Sequence, residues 1–369
     1  MTYTTLNESG CFAEISSFSS ANGSREFHIM LHASSGEKSF LKQLDSLHQT
    51  LNQLLTLPPY TNTTVIFRRY FLSDIANQEQ YIKEKLDSTA NHTTSLIQQP
   101  PLDGSKVALW VYLSSESQNG YTHFWTMNKY SQKATVEEQS TEILTNYNTF
   151  LHTNNCTLKD NCIRTWFYVQ DVDTNYAGFV TARKAYFEDH GLTNKTHYIA
   201  STGIEGKNAS PQSLVTMDAY AIQGINPQQI RHLHALTHLS PTHIYGVTFE
   251  RGTTIQYGDR QHIFISGTAS IDNQGKIVHA NDVVAQTSRM WENIDALLAE
   301  ANATTDDIAH AIVYLRDTGD YQIIERLFEE QFPRLPIVIT LAPVCRPGWL
   351  IEMECIAIND KEDKQFRDF

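Results

Sequence analysis

The chain has 369 residues, enough for two or three domains with cores of their own. With 41% hydrophobic, 11% aromatic and 19% charged residues it has the make-up of an ordinary globular protein, which excludes disordered, collagen-like and coiled-coil architectures. Forty-one acidic against 28 basic side chains, a formal charge of −13, argue against nucleic acid or an anionic membrane as partner, since both are gripped by basic surface; a small anionic substrate remains open where arginines gather locally.

The first residues, Met1 to Ser20, carry Glu8 and Glu14 and lack a basic start followed by an apolar core, so they do not read as a secretory signal. Cys11, Cys156, Cys162, Cys345 and Cys355 form no Cys-x-x-Cys pair and read as reduced thiols of a cytoplasm. The longest apolar runs, Val107–Leu113 and Ile337–Ala342, have the length of buried strands and fall far short of the ~20 residues that cross a bilayer.

In chain order, Phe27–Ala33 is a strand and Phe40–Leu57 a helix with Leu44, Leu47, Leu51 and Leu54 as its stripe. Strand Val65–Leu72 and helix Ile75–Leu86 follow. The same order returns further on, where Phe167-Tyr168-Val169-Gln170-Asp171 parallels Val313-Tyr314-Leu315-Arg316-Asp317 and Leu214–Ile222 parallels Leu350–Ile358. The last third is the most regular: strand His262–Ser266, helix Val283–Ala301, strand Ala311–Leu315, helix Gly319–Phe332 stopped by Pro333 and Pro336, and strands Pro336–Ala342 and Leu350–Ile358. The expectation is an α/β (α+β) chain of three tandem repeats, at 1–118, 119–238 and 239–369, each a mixed sheet covered on one face by two helices. Three uncovered sheet faces are most economically buried against one another as a pseudo-trimer.

Leu350–Ile358 alternates, so Ile351, Met353 and Cys355 face one way while Glu352 and Glu354 face the other. If the apolar side lies under the helices, both carboxylates face a repeat interface, where desolvation and mutual repulsion raise proton affinity as a general acid requires. The pattern equally fits an edge strand with solvated glutamates. Arg183, Arg251 and Arg346 could grip substrate carboxylates in bidentate forks, or be surface ion pairs. His232, His234 and His238 include one i,i+4 pair that could hold a metal on a helix, but no carboxylate or cysteine completes the set; no metal and no cofactor is expected, since phosphate and dinucleotide loops are also absent. Cys345 has no histidine nearby in sequence to act as its base and reads as a pocket wall.

Phe264-Ile265-Ser266-Gly267-Thr268-Ala269-Ser270, the helix Val283–Leu298, Val313–Asp317 and Ile351–Ile358 resemble the Rid/YjgF superfamily, the reactive-intermediate deaminases, compact trimers of chorismate-mutase-like domains with clefts between subunits. Arg164-x-Trp166-x-Tyr168, Ser201-Thr202-Gly203-Ile204, Asn226-Pro227, Tyr245-Gly246, Phe249-x-Arg251-Gly252, Ser266–Ser270 and Cys345-Arg346-Pro347-x-x-Leu350-Ile351-Glu352 look more specifically like the chorismatases. That resemblance implies cleavage of chorismate to pyruvate and a hydroxylated ring acid, with the family's acid glutamate at Glu352. It also implies substrate contacts from Arg251, Gly252, Cys345, Arg183, Tyr168, Tyr245, Ser266, Glu354 and Arg346. Gly252 with Cys345 resembles the subset that yields 3-hydroxybenzoate. The third repeat would carry the catalytic glutamate, the first would serve as a degenerate scaffold, and the protein would act as a monomeric pseudo-trimer or a small homo-oligomer. Simple deaminases of the superfamily place a carboxylate-binding arginine on the strand corresponding to Ile337–Ala342, which has none. Imine or enamine hydrolysis, or binding of a small acid without turnover, are the alternative functions.

Overall fold

The computed structural model describes residues 1–8, 10–86, 93–115 and 120–369. The expected boundary at 118/119 lies outside the described residues.

Strands β1 (Thr2–Glu8), β2 (Cys11–Ser19), β3 (Arg25–Ala33), β4 (Thr64–Leu72), β5 (Thr93–Gln98) and β6 (Val107–Ser114) form one sheet in the order β1-β2-β3-β6-β4-β5. Strands β7 (Thr122–Tyr130), β8 (Cys162–Val169), β9 (Ala200–Glu205) and β10 (Val215–Gln223) form a second, β7-β10-β8-β9. Strands β11 (Ile230–Leu233), β12 (Gly252–Gln256), β13 (Gln261–Ala269), β14 (Ile308–Leu315), β15 (Ile337–Leu341) and β16 (Ile351–Asn359) form a third, β11-β12-β13-β16-β14-β15. Each sheet thus has the same four-stranded centre, antiparallel except for the parallel pairs β4–β5, β8–β9 and β14–β15. The first and third sheets carry two further strands. β11 lies before residue 239 yet pairs with β12, so the third sheet begins earlier than the apolar pattern marks.

The helices are α1 (Phe40–Thr56), α2 (Ile75–Lys85), α3 (Val136–Thr153), the single turn α4 (Leu158–Asn161), α5 (Val172–Asp189), α6 (Val283–Glu300) and α7 (Tyr321–Gln331). α1 buries Leu44, Leu47, Leu51 and Leu54 and is capped by Ser39, whose hydroxyl accepts the Lys42 N–H. α3 starts on a Thr135–Glu138 capping box, and α6 on Asp282, which accepts the Ala285 N–H. None of the described helices is long and apolar enough to cross a membrane.

The faces away from the helices meet around a common interior. Trp110 of β6, Trp166 and Tyr168 of β8 and Tyr314 of β14 share one hydrophobic cluster. Each of the three seams holds a buried ion pair: Arg69 to Asp218 (3.1 Å) between first and second copies, Arg164 to Glu354 (2.9 Å) between second and third, and Arg260 to Glu26 between third and first. Such pairs add little net stability over an apolar seam, but removing one partner strands the other charge, so they fix which surfaces can meet.

Candidate active site

The seam between the second and third copies opens into a cleft. β9 supplies one side. It runs parallel to β8 and brings Ser201, Thr202 and Gly203 against β13, where Ser201 N donates to Ser266 Oγ (2.9 Å) and Gly267 N to Thr202 Oγ1 (2.9 Å). α5 supplies the outer wall. Its first N–H groups, Asp171 and Val172, donate to the Glu205 carboxylate at the end of β9 (3.1 and 2.7 Å), which ties the helix start to the cleft edge.

β16 delivers the acid. Glu352 and Glu354 both lie on the interior face, 5% and 3% exposed, so the alternation seen in the sequence has the inward orientation. The two differ in surroundings. Glu354 accepts from Arg164 Nη2 (2.9 Å) and Trp166 Nε1 (2.6 Å) and is also bonded by the Thr202 hydroxyl. Glu352 lines the cleft. Burial first, then the Glu354 charge, pushes its carboxyl up to about 8, against the smaller opposing pull of Arg164 and Arg251. Glu352 is therefore a protonated carboxylic acid at neutral pH.

Arg183, from α5, and Arg251, just before β12, line the same cleft. Nε and Nη2 of Arg183 and Nε of Arg251 are buried without a hydrogen-bond partner among the described residues. Arg251 Nη2 donates to the Ser240 carbonyl (3.0 Å), and its guanidinium stands 5.2 Å from the Tyr245 ring centre. Arg346 packs on the same ring at 4.9 Å and donates to the Tyr245 carbonyl (3.0 Å). Burial lowers the Arg183 pKa from its ordinary value. Buried guanidinium donors without an acceptor are costly, and a negatively charged acceptor within reach would offset that cost. Burial also pushes the Cys345 thiol up to about 12, so it is no thiolate nucleophile at neutral pH and forms part of the wall.

The cleft therefore gathers Glu352, Arg251, Arg183, Arg346, Cys345 and Tyr245. Four residues expected there lie elsewhere. Tyr168 points into the seam between first and second copies, its hydroxyl 3.4 Å from Asp218 and the Arg69 guanidinium 5.6 Å from its ring centre. Gly252 leaves space for protein rather than ligand: a Cβ there would meet the Phe264 carbonyl oxygen at 3.0 Å and Leu233 at 3.1 Å. Ser266 is a staple, donating to the Glu250 carbonyl (2.6 Å) while accepting from Ser201 N. Glu354 lies behind the cleft wall in its ion pair. His232 is on strand β11 beside Thr253 (3.3 Å), so no helix brings the histidines together.

The sequence reading assigned no role to Tyr176, Thr202, Arg164 or Trp349. Tyr176 stands two turns before Arg183 on α5, a spacing that places both on one face and could have marked it. Trp349 Nε1 donates to the Ser270 carbonyl (2.9 Å) and holds the loop that carries Cys345 and Arg346.

Residues 254–359 match the family model described as Endoribonuclease L-PSP. A RutC family protein of Pyrococcus abyssi is 33% identical over 103 residues, 27% of this chain and 79% of that protein. The 3-aminoacrylate deaminase RutC of Acinetobacter baylyi is 30% identical over 97 residues, 26% of this chain and 77% of that protein. A chorismatase crystal structure superimposes with a TM-score of 0.62 over 80% of this chain and 93% of its own, at 18% identity, a likeness of fold.

Proposed function

Because this chain belongs to the Rid/YjgF superfamily and has the fold of a chorismatase, we propose that it is an enzyme that cleaves chorismate, or a close relative, to pyruvate and a hydroxybenzoate. The observation that carries this reading is one protonated, buried carboxylic acid, Glu352, in a cleft with two guanidinium groups whose buried donors have no partner among the described residues. A substrate with two carboxylates and an acid-labile bond answers both features.

In this reading Arg251 and Arg183 each take a substrate carboxylate, and Tyr245, packed against the guanidinium groups of Arg251 and Arg346, forms part of the wall beside the ring. Glu352 donates its proton to the methylene carbon of the enolpyruvyl ether. The bond from the ether oxygen to the ring then breaks with its electron pair going to that oxygen, so the three-carbon fragment leaves as pyruvate; the ring cation left behind is captured by its own neighbouring hydroxyl oxygen, which migrates to the carbon that lost the ether, and loss of one proton back to the Glu352 carboxylate makes the ring aromatic. For 3-hydroxybenzoate as second product the atoms balance with no net water, which is the product we favour given Cys345 in the wall. An acid held near neutrality in a dry site suits this step, because it stays protonated at the working pH and still gives up its proton without a large penalty.

The test is product analysis by mass spectrometry after mixing with chorismate. Pyruvate and hydroxybenzoate are expected, and unchanged chorismate refutes the reading. The RutC relatives motivate one competing activity, deamination of an enamine acid. Freshly generated 2-aminoacrylate with ammonia as readout separates the two, and release of ammonia without cleavage of chorismate would favour the deaminase.

A further inference from the structure

Glu354 is held by donors. Arg164 Nη2 (2.9 Å) and the Thr202 hydroxyl reach its Oε2, and Trp166 Nε1 (2.6 Å) reaches its Oε1. The Thr202 hydroxyl has no choice of direction. It belongs to a residue 1% exposed, and both of its lone pairs are taken by groups that can only donate, the Gly267 amide (2.9 Å) and Arg164 Nη2 (2.5 Å), so its one proton goes to Glu354. Thr202 lies on β9, opposite Trp166, and lines the cleft with Glu352. Gly267 is in the register break of β13 that faces Glu354, and Glu352 Oε1 rests against it.

The seam between the first and second copies has the same clasp without the acid. Ser95 of β5, opposite Arg69, donates to Asp218 (2.5 Å), and Thr216 stands two residues before Asp218 as Glu352 does before Glu354. There the amide in the register break, that of Asn128, donates to Asp218 directly (2.8 Å). Beside Glu352 the amide is instead routed through the hydroxyl.

We propose that Thr202 is a positioning residue: its hydroxyl ties the β13 backbone to Glu354, keeps that carboxylate an acceptor, and so leaves the proton of the two-carboxylate pair on Glu352. The inference rests on the reading that Glu352 is the acid of the cleft. The other titratable groups around Glu352 are Arg164 of β8, Arg183 of α5, Arg251, Arg346 and Cys345 from the loops before β12 and β16, and the phenols of Tyr176, Tyr245 and Tyr314. Of these, Thr202 bonds Arg164.

The test compares wild type, Thr202→Val, Thr202→Ser and, as a seam contact with no acid beside it, Ser95→Ala. The readouts are steady-state cleavage of chorismate and, on the protein alone, the infrared band of the buried carboxylic acid, assigned by its loss in Glu352→Gln. Thr202→Val is expected to lower kcat about tenfold with KM within about twofold of wild type, the loss of a charge-assisted contact. Its alkaline limb should not move to lower pH, because the Glu354 charge remains, and its infrared band should weaken at neutral pH. Thr202→Ser should restore kcat and band, and Ser95→Ala should leave both unchanged. Unchanged kcat in Thr202→Val, a rise in KM as large as the fall in kcat, an alkaline limb at lower pH, no restoration by serine, or an equal loss in Ser95→Ala overturns the proposal. Should Thr202→Val fail to fold, Thr202→Ala is held to the same outcomes. Wild type that leaves chorismate intact defeats the chorismate reading, while the infrared series still judges Thr202: a band of wild-type strength in Thr202→Val, or no band in wild type, overturns the proposal.

Discussion

Glu352 and Gly267 compete for one volume: the carboxylate oxygen Oε1 of Glu352 occupies the space that a side chain at 267 would need. The glycine on β13 is thus a condition for the acid's position on β16. Gly267→Ala should fold, because the far end of a flexible side chain can yield, but it should displace the carboxyl and lower kcat by tenfold or more, on the order of 1.4 kcal/mol of barrier. A melting temperature within a few degrees of wild type together with lost pyruvate release is the expected pair of results.

The raised proton affinity of Glu352 predicts the pH dependence of the reaction. An acid that must be protonated loses function on its alkaline side, so kcat/KM should fall as pH rises through about 8. Glu354→Gln removes the neighbouring negative charge and also frees Arg164, and both changes favour ionised Glu352. The alkaline limb should therefore move to lower pH in that variant, read from a profile of kcat/KM between pH 5 and 10.

The same shift is a statement about stability. Folding raises the Glu352 pKa from the ordinary 4.5 to about 8, so the folded state binds more protons than the unfolded state between those values. Stability contributed by this group is fully present below 4.5 and is lost as pH rises through about 8. Glu352→Gln removes the ionisation, and its melting temperature should exceed that of wild type by a margin that is small at pH 5 and grows up to pH 9. Differential scanning calorimetry at several pH values measures the margin, and a constant or shrinking one contradicts the assignment.

Two buried arginines should respond in opposite ways to replacement. Arg164 is paired with Glu354 across the seam, so Arg164→Leu strands a buried carboxylate and should cost about 3–5 kcal/mol in urea denaturation. Arg183 has unpartnered donors among apolar rings, so Arg183→Leu should leave the unliganded protein as stable as wild type or more so. It should nevertheless raise KM for chorismate by at least about tenfold, the loss of a charge-assisted contact.

Much of the architecture was legible because it is written in local spacing. The leucine stripe of α1, the prolines after α7 and the alternation along β16 act over a few residues, and the repeated strand-helix order follows from them. That Glu352 and Glu354 share one face of β16 was legible for the same reason, whereas the direction of that face was not, because an edge strand with solvated glutamates has the same alternation. What alternation cannot tell is which neighbour an inward residue meets. On β8, Arg164 and Trp166 reach Glu354 of the third copy, whereas Tyr168 turns to Asp218 and to Arg69 of the first, so a face known to be interior is divided between two seams. α5 hides its role differently: Arg183 takes a buried position on it, which blurs the apolar stripe and with it the signal that would have exposed Tyr176. β11 has only four residues and too little pattern to mark the third sheet's outer edge.

The central claim is that Glu352 supplies the proton that breaks the enolpyruvyl ether. Its most direct test is the rate of pyruvate release from chorismate, followed with a coupled lactate dehydrogenase assay, for wild type and a folded Glu352→Gln variant side by side. Release by wild type and a loss of at least about a thousandfold in the variant are predicted. Equal rates, or no release by wild type, would contradict the account.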